Sequence, residues 1–267
     1  MSNNLGSPTV SGSSDLISDS MTRIATTASK QRKLVALGGV IFIAAALAAS
    51  LYLTKRNAFR AQGSEALFKA RATLAAEMKV IADSLKPPAK PEAKGAKKDA
   101  KAADKPEAGP NVDFAKFEVD EKLKGGVAAL ERVSEEYSST LAGFDARMQL
   151  GSLYYDHATS PAAYEKAATW FAKAADGAPS SEQAASALYS LGYAQESLGK
   201  CGEAVKTFDR ALNSGATYIL GDLLRAQGRC YETLGDKENA KKAYERLAKS
   251  LPNTEDAKFA EMKKASL

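Results

Sequence analysis

The sequence predicts an all-α protein, a helical-hairpin solenoid that follows a single N-terminal transmembrane helix. Three observations carry that prediction. Residues 34–53 form a twenty-residue stretch without a charge. The C-terminal part repeats itself at an offset of thirty-six residues. Hydrophobic residues make up 45% of the chain but aromatics only 7%, so the core is built from small side chains. Such a core suits close helix packing better than a sheet sandwich.

The apolar stretch reads LVALGGVIFIAAALAASLYL. As a helix it is roughly 30 Å long, the thickness of a bilayer's hydrocarbon core. Arg32 and Lys33 precede it, Lys55 and Arg56 follow it, and Tyr52 lies near one end. Basic flanks and an interfacial aromatic are what a membrane anchor needs. A second reading is a cleaved signal: with translation from Met21, Ala46-Leu47-Ala48 is a small-x-small cleavage site. The flanks 14–33 and 54–73 carry four and five Lys/Arg, so charge bias nearly ties. A short tail stays inside easily, which favours a cytoplasmic N-terminus and an exported C-terminal part.

Charge is unevenly placed. Residues 1–33 carry +2, residues 54–112 carry +6, and residues 113–267 carry −3. A nucleic-acid domain concentrates Lys and Arg on its folded surface. Here the basicity lies outside the repeats, which argues against nucleic acid and for a lipid bilayer as neighbour. Residues 1–33 are a Ser/Asn/Thr-rich tail, expected to be disordered. Residues 54–85 place Leu67, Ala70, Leu74, Met78, Ile81 and Leu85 at helical spacing, giving a stalk helix with Gly63 as its weak point. Residues 86–112 hold five prolines and Lys-rich runs, a flexible spacer. Residues 113–267 form the repeat domain.

Within that domain Gly192 matches Gly228, Leu198-Gly199 matches Leu234-Gly235, Ala204 matches Ala240, and Phe208 matches Tyr244. An earlier copy runs through Gly151, Ala167 and Phe171, with a longer turn between its helices. A first, broken copy pairs helix 64–85 with helix 119–137 across the spacer. A small residue in the first helix, then a small residue and an aromatic four later in the second, lets paired helices approach while the ring fills the gap. Ser180 and Gln183 have the spacing of a capping box. Asn253-Thr254 opens a last helix whose Ala257, Ala260 and Met262 are expected to cover the end of the stack.

These units resemble the tetratricopeptide repeat, a helix–turn–helix module, and depart from its pattern at Arg147, where a large apolar residue is usual. The resemblance implies that Gly151, Gly192 and Gly228, with Ala167, Ala204 and Ala240, and with Phe171, Phe208 and Tyr244, are packing residues. It also implies a concave groove lined by the first helix of each unit, which takes protein partners. Periodicity then places Met148, Ser152, Tyr155, Tyr189, Tyr193, Glu196, Arg225, Arg229 and Glu232 on that face. Tyr155, Tyr189, Tyr193, Arg225 and Arg229 are the expected partner-binding residues, because Tyr and Arg anchor interfaces most often. The Lys/Asn carboxylate clamp of some repeat proteins is replaced by tyrosines, although Arg225 and Arg229 remain suited to an acidic segment.

Catalysis, metal, cofactor and small-molecule substrate have no support in the sequence. His157 is the only histidine, and no phosphate loop or nucleophile elbow is present. Cys201 and Cys230 leave two outcomes: a disulfide between neighbouring units if the domain is exported, or two isolated thiols. The layout of one N-terminal anchor and an exported repeat domain resembles the bacterial ancillary translocon subunit family. That resemblance implies a scaffold or chaperone-like role at the inner membrane, with the repeats in the periplasm. A cytosol-facing receptor and a self-associating envelope organiser, the latter through Ala45 and Ala49, are the competing readings.

Overall fold

The computed structural model describes residues 32–85 and 115–267. The spacer 86–112 and nearly all of the tail 1–33 lie outside the described residues. Among those described, every regular element is helical. The chain divides into two compact units, Met1–Ala58 and Phe59–Leu267. Helix α1, Arg32–Leu85, contributes to both.

In the first unit, all side chains from Ala36 to Ala58 are exposed. The apolar window of this helix has a mean hydropathy of 2.2 and none of it is buried. By length and composition it is a candidate membrane span.

The second unit starts from the remainder of α1. Leu67, Ala70 and Leu74 are buried along one face, with Met78 and Ile81 partly covered. Gly63 is a contact and not a weak point. A methyl group there would sit 2.9 Å from Tyr137 Cδ1, so glycine is what lets the helices meet. The partner helix of the broken first copy is interrupted at Leu123, giving α2 (Val119–Lys122) and α3 (Lys124–Glu136). No side chain of α3 itself caps its N-terminus. Glu77 of α1 does so from a distance: its two carboxylate oxygens accept from the Gly125 and Gly126 N–H groups at 2.8 Å each. A carboxylate is favoured there by the free N–H groups and the helix dipole.

Three hairpins follow. They are α4 (Leu141–Asp156) with α5 (Pro161–Asp176), α6 (Ser181–Ser197) with α7 (Cys201–Asn213), and α8 (Leu220–Thr233) with α9 (Lys237–Ser250). A single 3-10 turn, Thr217–Ile219, precedes α8. Helix α10, Glu255–Ser266, closes the series. Each helix from α3 onward packs on the one before it, and one core runs from Leu67 through Cys230.

The boundaries follow local chemistry. Thr140, Ser180, Asp236 and Thr254 each accept a backbone N–H three residues on, the N-cap arrangement. Pro161 occupies the first position of α5, where a missing N–H costs nothing. The repeated Leu-Gly pairs end α6 and α8. Gly199 and Gly235 have φ of 71° and 73°, and the following N–H groups reach back to Gln195 and Tyr231 at 2.9 Å. That left-handed cap is the reason for glycine at both positions.

Arg147 is 8% exposed, and its departure from the repeat pattern has a structural reason. Its Nη2 donates to the carbonyls of Ser134 (2.9 Å) and Ser138 (3.1 Å), at the C-terminal end of α3. Burial lowers its pKa, but the charge suits the negative end of a helix. The terminal cap differs from expectation in one residue. Ala260 is fully buried, but Met262 is 61% exposed. Phe259 fills the role instead, edge-on to Tyr244 with ring centroids 5.8 Å apart.

Candidate protein-binding groove

The small residues decide how close the helices come. A Cβ on Gly151 would lie 2.5 Å from Phe171, one on Gly192 2.2 Å from Phe208, and one on Gly228 2.4 Å from Tyr244. No side chain fits in those gaps. Ala167, Ala204 and Ala240 are fully buried in the second helices, beside the same rings. This tight pairing fixes the first helices, and so fixes where their outer residues stand.

Between α4 and α6 this leaves a cleft of about 230 Å³. Ser152, Tyr155, Asp156 and Phe171 line one side, with Tyr189, Ser190 and Tyr193 on the other. The expected residues Tyr155, Tyr189 and Tyr193 are thus brought together. The Tyr189 and Tyr193 rings are 4.7 Å apart, and Tyr193 meets Phe208 edge-on at 5.8 Å. Tyr155 packs edge-on against Tyr164 and accepts a hydrogen bond from Ser197 Oγ at 3.2 Å. Burial, and then the hydrogen bond with Tyr193, pushes the Tyr189 hydroxyl above its ordinary range. Burial raises Tyr155 as well. Around neutral pH Tyr189 and Tyr155 are therefore uncharged, and the packed rings form a surface suited to stacking and hydrogen bonding.

Arg225 and Arg229 do not join this cleft as free charges. Arg229 makes two parallel hydrogen bonds of 2.9 Å to Glu196 across the α6–α8 join, and its guanidinium stands 5.6 Å from the Tyr193 ring. The Glu196 bond raises the Arg229 pKa further. Arg225 pairs with Asp256 of α10 and lies 5.1 Å from the Phe259 ring. Glu232 is bound by Lys263 at 2.8 Å. Helix α10 thus meets α8 through charge at both ends of its inner face. Farther along the groove, Arg71 of α1 donates to Gln149 at 3.0 Å and approaches Asp145 at 3.5 Å.

Sequence reasoning missed the α10 partners Asp256, Phe259 and Lys263. It also put Glu196 and Arg229 on one face without pairing them. That pair was signalled: an acid four residues after one repeat glycine faces a base one residue after the next.

His157 is 3% exposed and caps α4. Its Nδ1 lies 2.7 Å from the Ala115 carbonyl and its ring stacks on Phe117 at 4.2 Å. Its contacts thus pin the chain where it enters the repeat domain. Cys201, the first residue of α7, and Cys230, in α8, are buried free thiols.

Sequence models of the tetratricopeptide repeat match residues 185–214 and 222–254. These are the α6–α7 and α8–α9 hairpins. No curated protein matches the chain. The glycine–aromatic contacts recur without change in α4–α5, so the chain carries tetratricopeptide repeats, modules whose stacked helices present an extended binding surface for protein partners.

Proposed function

We propose that this protein is a membrane-anchored scaffold or chaperone-like adaptor whose repeat groove holds a segment of a protein partner. The observation that carries the reading is the tyrosine-lined cleft between α4 and α6. Tyr155, Tyr189 and Tyr193 are the partner-binding residues, and Arg225 and Arg229 set the groove's shape through Glu196 and Asp256. With those arginines neutralised within the chain, the favoured partner segment presents aromatic or aliphatic side chains to the rings. No reaction chemistry is assigned to the protein, in keeping with the adaptor character of such repeats.

Placement in the bacterial inner membrane, with the repeats in the periplasm near the protein-export channel, rests on the apolar segment 34–53 and on the resemblance in layout. A photo-crosslinking residue at Ser190, in the full chain in native membranes, tests the groove. Adducts should form there, disappear with Tyr189→Ala, and be absent from Lys206 on the second helix. Equal adducts from Lys206 would move the binding surface elsewhere. Protease access to the repeats after the outer barrier is opened tests the placement. Digestion supports it, and protection would make the protein a cytosol-facing receptor.

One observation favours self-association as a second reading. Phe68 and Val80 on the outer face of α1 are 73% and 70% exposed, with exposed Ala72 and Ala76 between them at helical spacing. The oligomeric mass of Phe68→Ser against the parent, both in detergent, tests that reading.

A further inference from the structure

Among the described residues, three buried side-chain polar atoms lack a hydrogen-bond partner: Arg225 Nε, Glu232 Oε1 and the Tyr244 hydroxyl. All three belong to the contact that α8 and α9 make with α10. Buried polar groups are rarely left unpaired, so their clustering under one helix marks an imperfect fit. Asp256 meets Arg225 Nη2 through Oδ1 alone, and its Oδ2 lies beside Gly221, 2.9 Å from where a Cβ would stand. Lys263 donates to Glu232 Oε2 at 2.8 Å and leaves Oε1 without a bond.

The neighbouring α6–α8 join shows a complete pair. Arg229 Nε and Nη2 donate to the two oxygens of Glu196 at 2.9 Å each. There the arginine fork and the carboxylate are both filled; under α10 each is filled by half. Little else holds α10. Ala260 is its only buried residue. Asp256, Phe259 and Lys263 lie at i, i+3 and i+7 and share one face, with the Phe259 ring on the apolar cluster of Leu224, Ala240, Tyr244 and Leu247.

We infer that the surface beneath α10 is a docking site for an amphipathic helix of a protein partner, one that carries Glu, an aromatic residue and Arg at i, i+3 and i+7. Helix α10 is the resident occupant and shows the same pattern with a shorter acid and an unforked base. The partner's Glu would reach both Nε and Nη2 of Arg225, and its Arg both oxygens of Glu232. The order of Arg225 and Glu232 sets the direction of the incoming helix. Its acid comes at the N-terminal end, where the helix dipole also favours it. The short tether of residues 251–254 holds α10 at high local concentration, so only a helix that bonds better displaces it. This surface is separate from the tyrosine cleft, and the inference does not depend on what that cleft binds.

The test adds fluorescein-labelled peptides to the full chain in detergent micelles and reads their anisotropy. One peptide copies residues 253–267, and the second carries Asp256→Glu and Lys263→Arg. The second should bind about tenfold tighter than the first. Arg225→Lys in the chain should cancel the part of that gain due to the glutamate, and Glu232→Gln the part due to the arginine. Those changes also loosen α10, so a further variant leaves the seat intact. A Gly/Ser linker of about twenty residues between Asn253 and Thr254 lowers the local concentration of α10 and should tighten both peptides several-fold. Equal affinity of the two peptides, no response to the linker, or loss of binding in Tyr189→Ala would each overturn the inference.

Discussion

The join between α4 and α6 and the join between α6 and α8 are built on the same hairpin, yet they have opposite characters. The first is an aromatic cleft with room for a ligand. The second is bridged by Arg229 and Glu196, and the next by Arg225 with Asp256 and Glu232 with Lys263. The glycine and aromatic positions are common to both, so they set the fold and not the difference. The residues one turn outward set the difference, and charges bridge the α6–α8 join where tyrosine hydroxyls and serines leave the α4–α6 join open. The repeat thus separates stacking, which is shared, from recognition, which is local.

The largest break in that comparison should come from the shared part. Gly192→Leu puts a side chain where the Phe208 ring sits, and should cost roughly 3 kcal/mol or more. A denaturant melt like the parent's would mean that α6 and α7 do not meet at this glycine. Next is Arg147→Ala, which strips the C-terminal carbonyls of α3 of a buried charged donor. About 2 kcal/mol should be lost, read from the same melt, while Arg147→Lys recovers part of it. The α6–α8 bridge is only partly buried, so Arg229→Gln should cost about 1 kcal/mol after allowance for solvent screening. A double-mutant cycle with Glu196→Gln measures the coupling, and zero coupling would make the bridge ornamental. The smallest effect belongs to the cleft: Tyr155→Phe removes one hydroxyl contact with Ser197 and should cost about 0.5 kcal/mol. Its consequence should instead appear in crosslinking from Ser190.

Acid separates a third contact from these. Burial works to raise the Asp120 carboxyl, but the Lys166 ammonium and the Tyr154 hydroxyl outweigh it and hold the pKa below its ordinary value. A depressed carboxyl stabilises the fold fully above the unfolded value, about 4, and loses that contribution as pH falls through the folded one. The Tm of Asp120→Asn should therefore fall less than the parent's between pH 5 and about 2.5. Parallel curves would remove Asp120 from the account.

Much of the fold was legible because stacking is periodic. An offset of thirty-six residues located the glycines, the alanines, the aromatics and the Leu-Gly turns without any knowledge of space. Charge pairing was not legible in the same way. Asp256 and Lys263 lie on a helix with no repeat glycine, so no offset points from them to Arg225 or Glu232. Arg147 looked like an exception because its partners are carbonyls of an earlier helix, and backbone ends carry no letter in a sequence. Phe259 was passed over for Met262 because the register of a terminal helix is set by its one neighbour.

The clasp between Glu77 and the start of α3 bears on how this chain tolerates change. It joins the two helices of the first hairpin directly, so their pairing does not rest on the stretch of sequence that connects them, residues 86–114. Once the ends of a loop are fixed, doubling its length adds only about 0.6 kcal/mol. That stretch is accordingly the place where the protein can be lengthened, trimmed or given a tag at least cost, and where related chains are expected to differ most in length while their repeats stay in register.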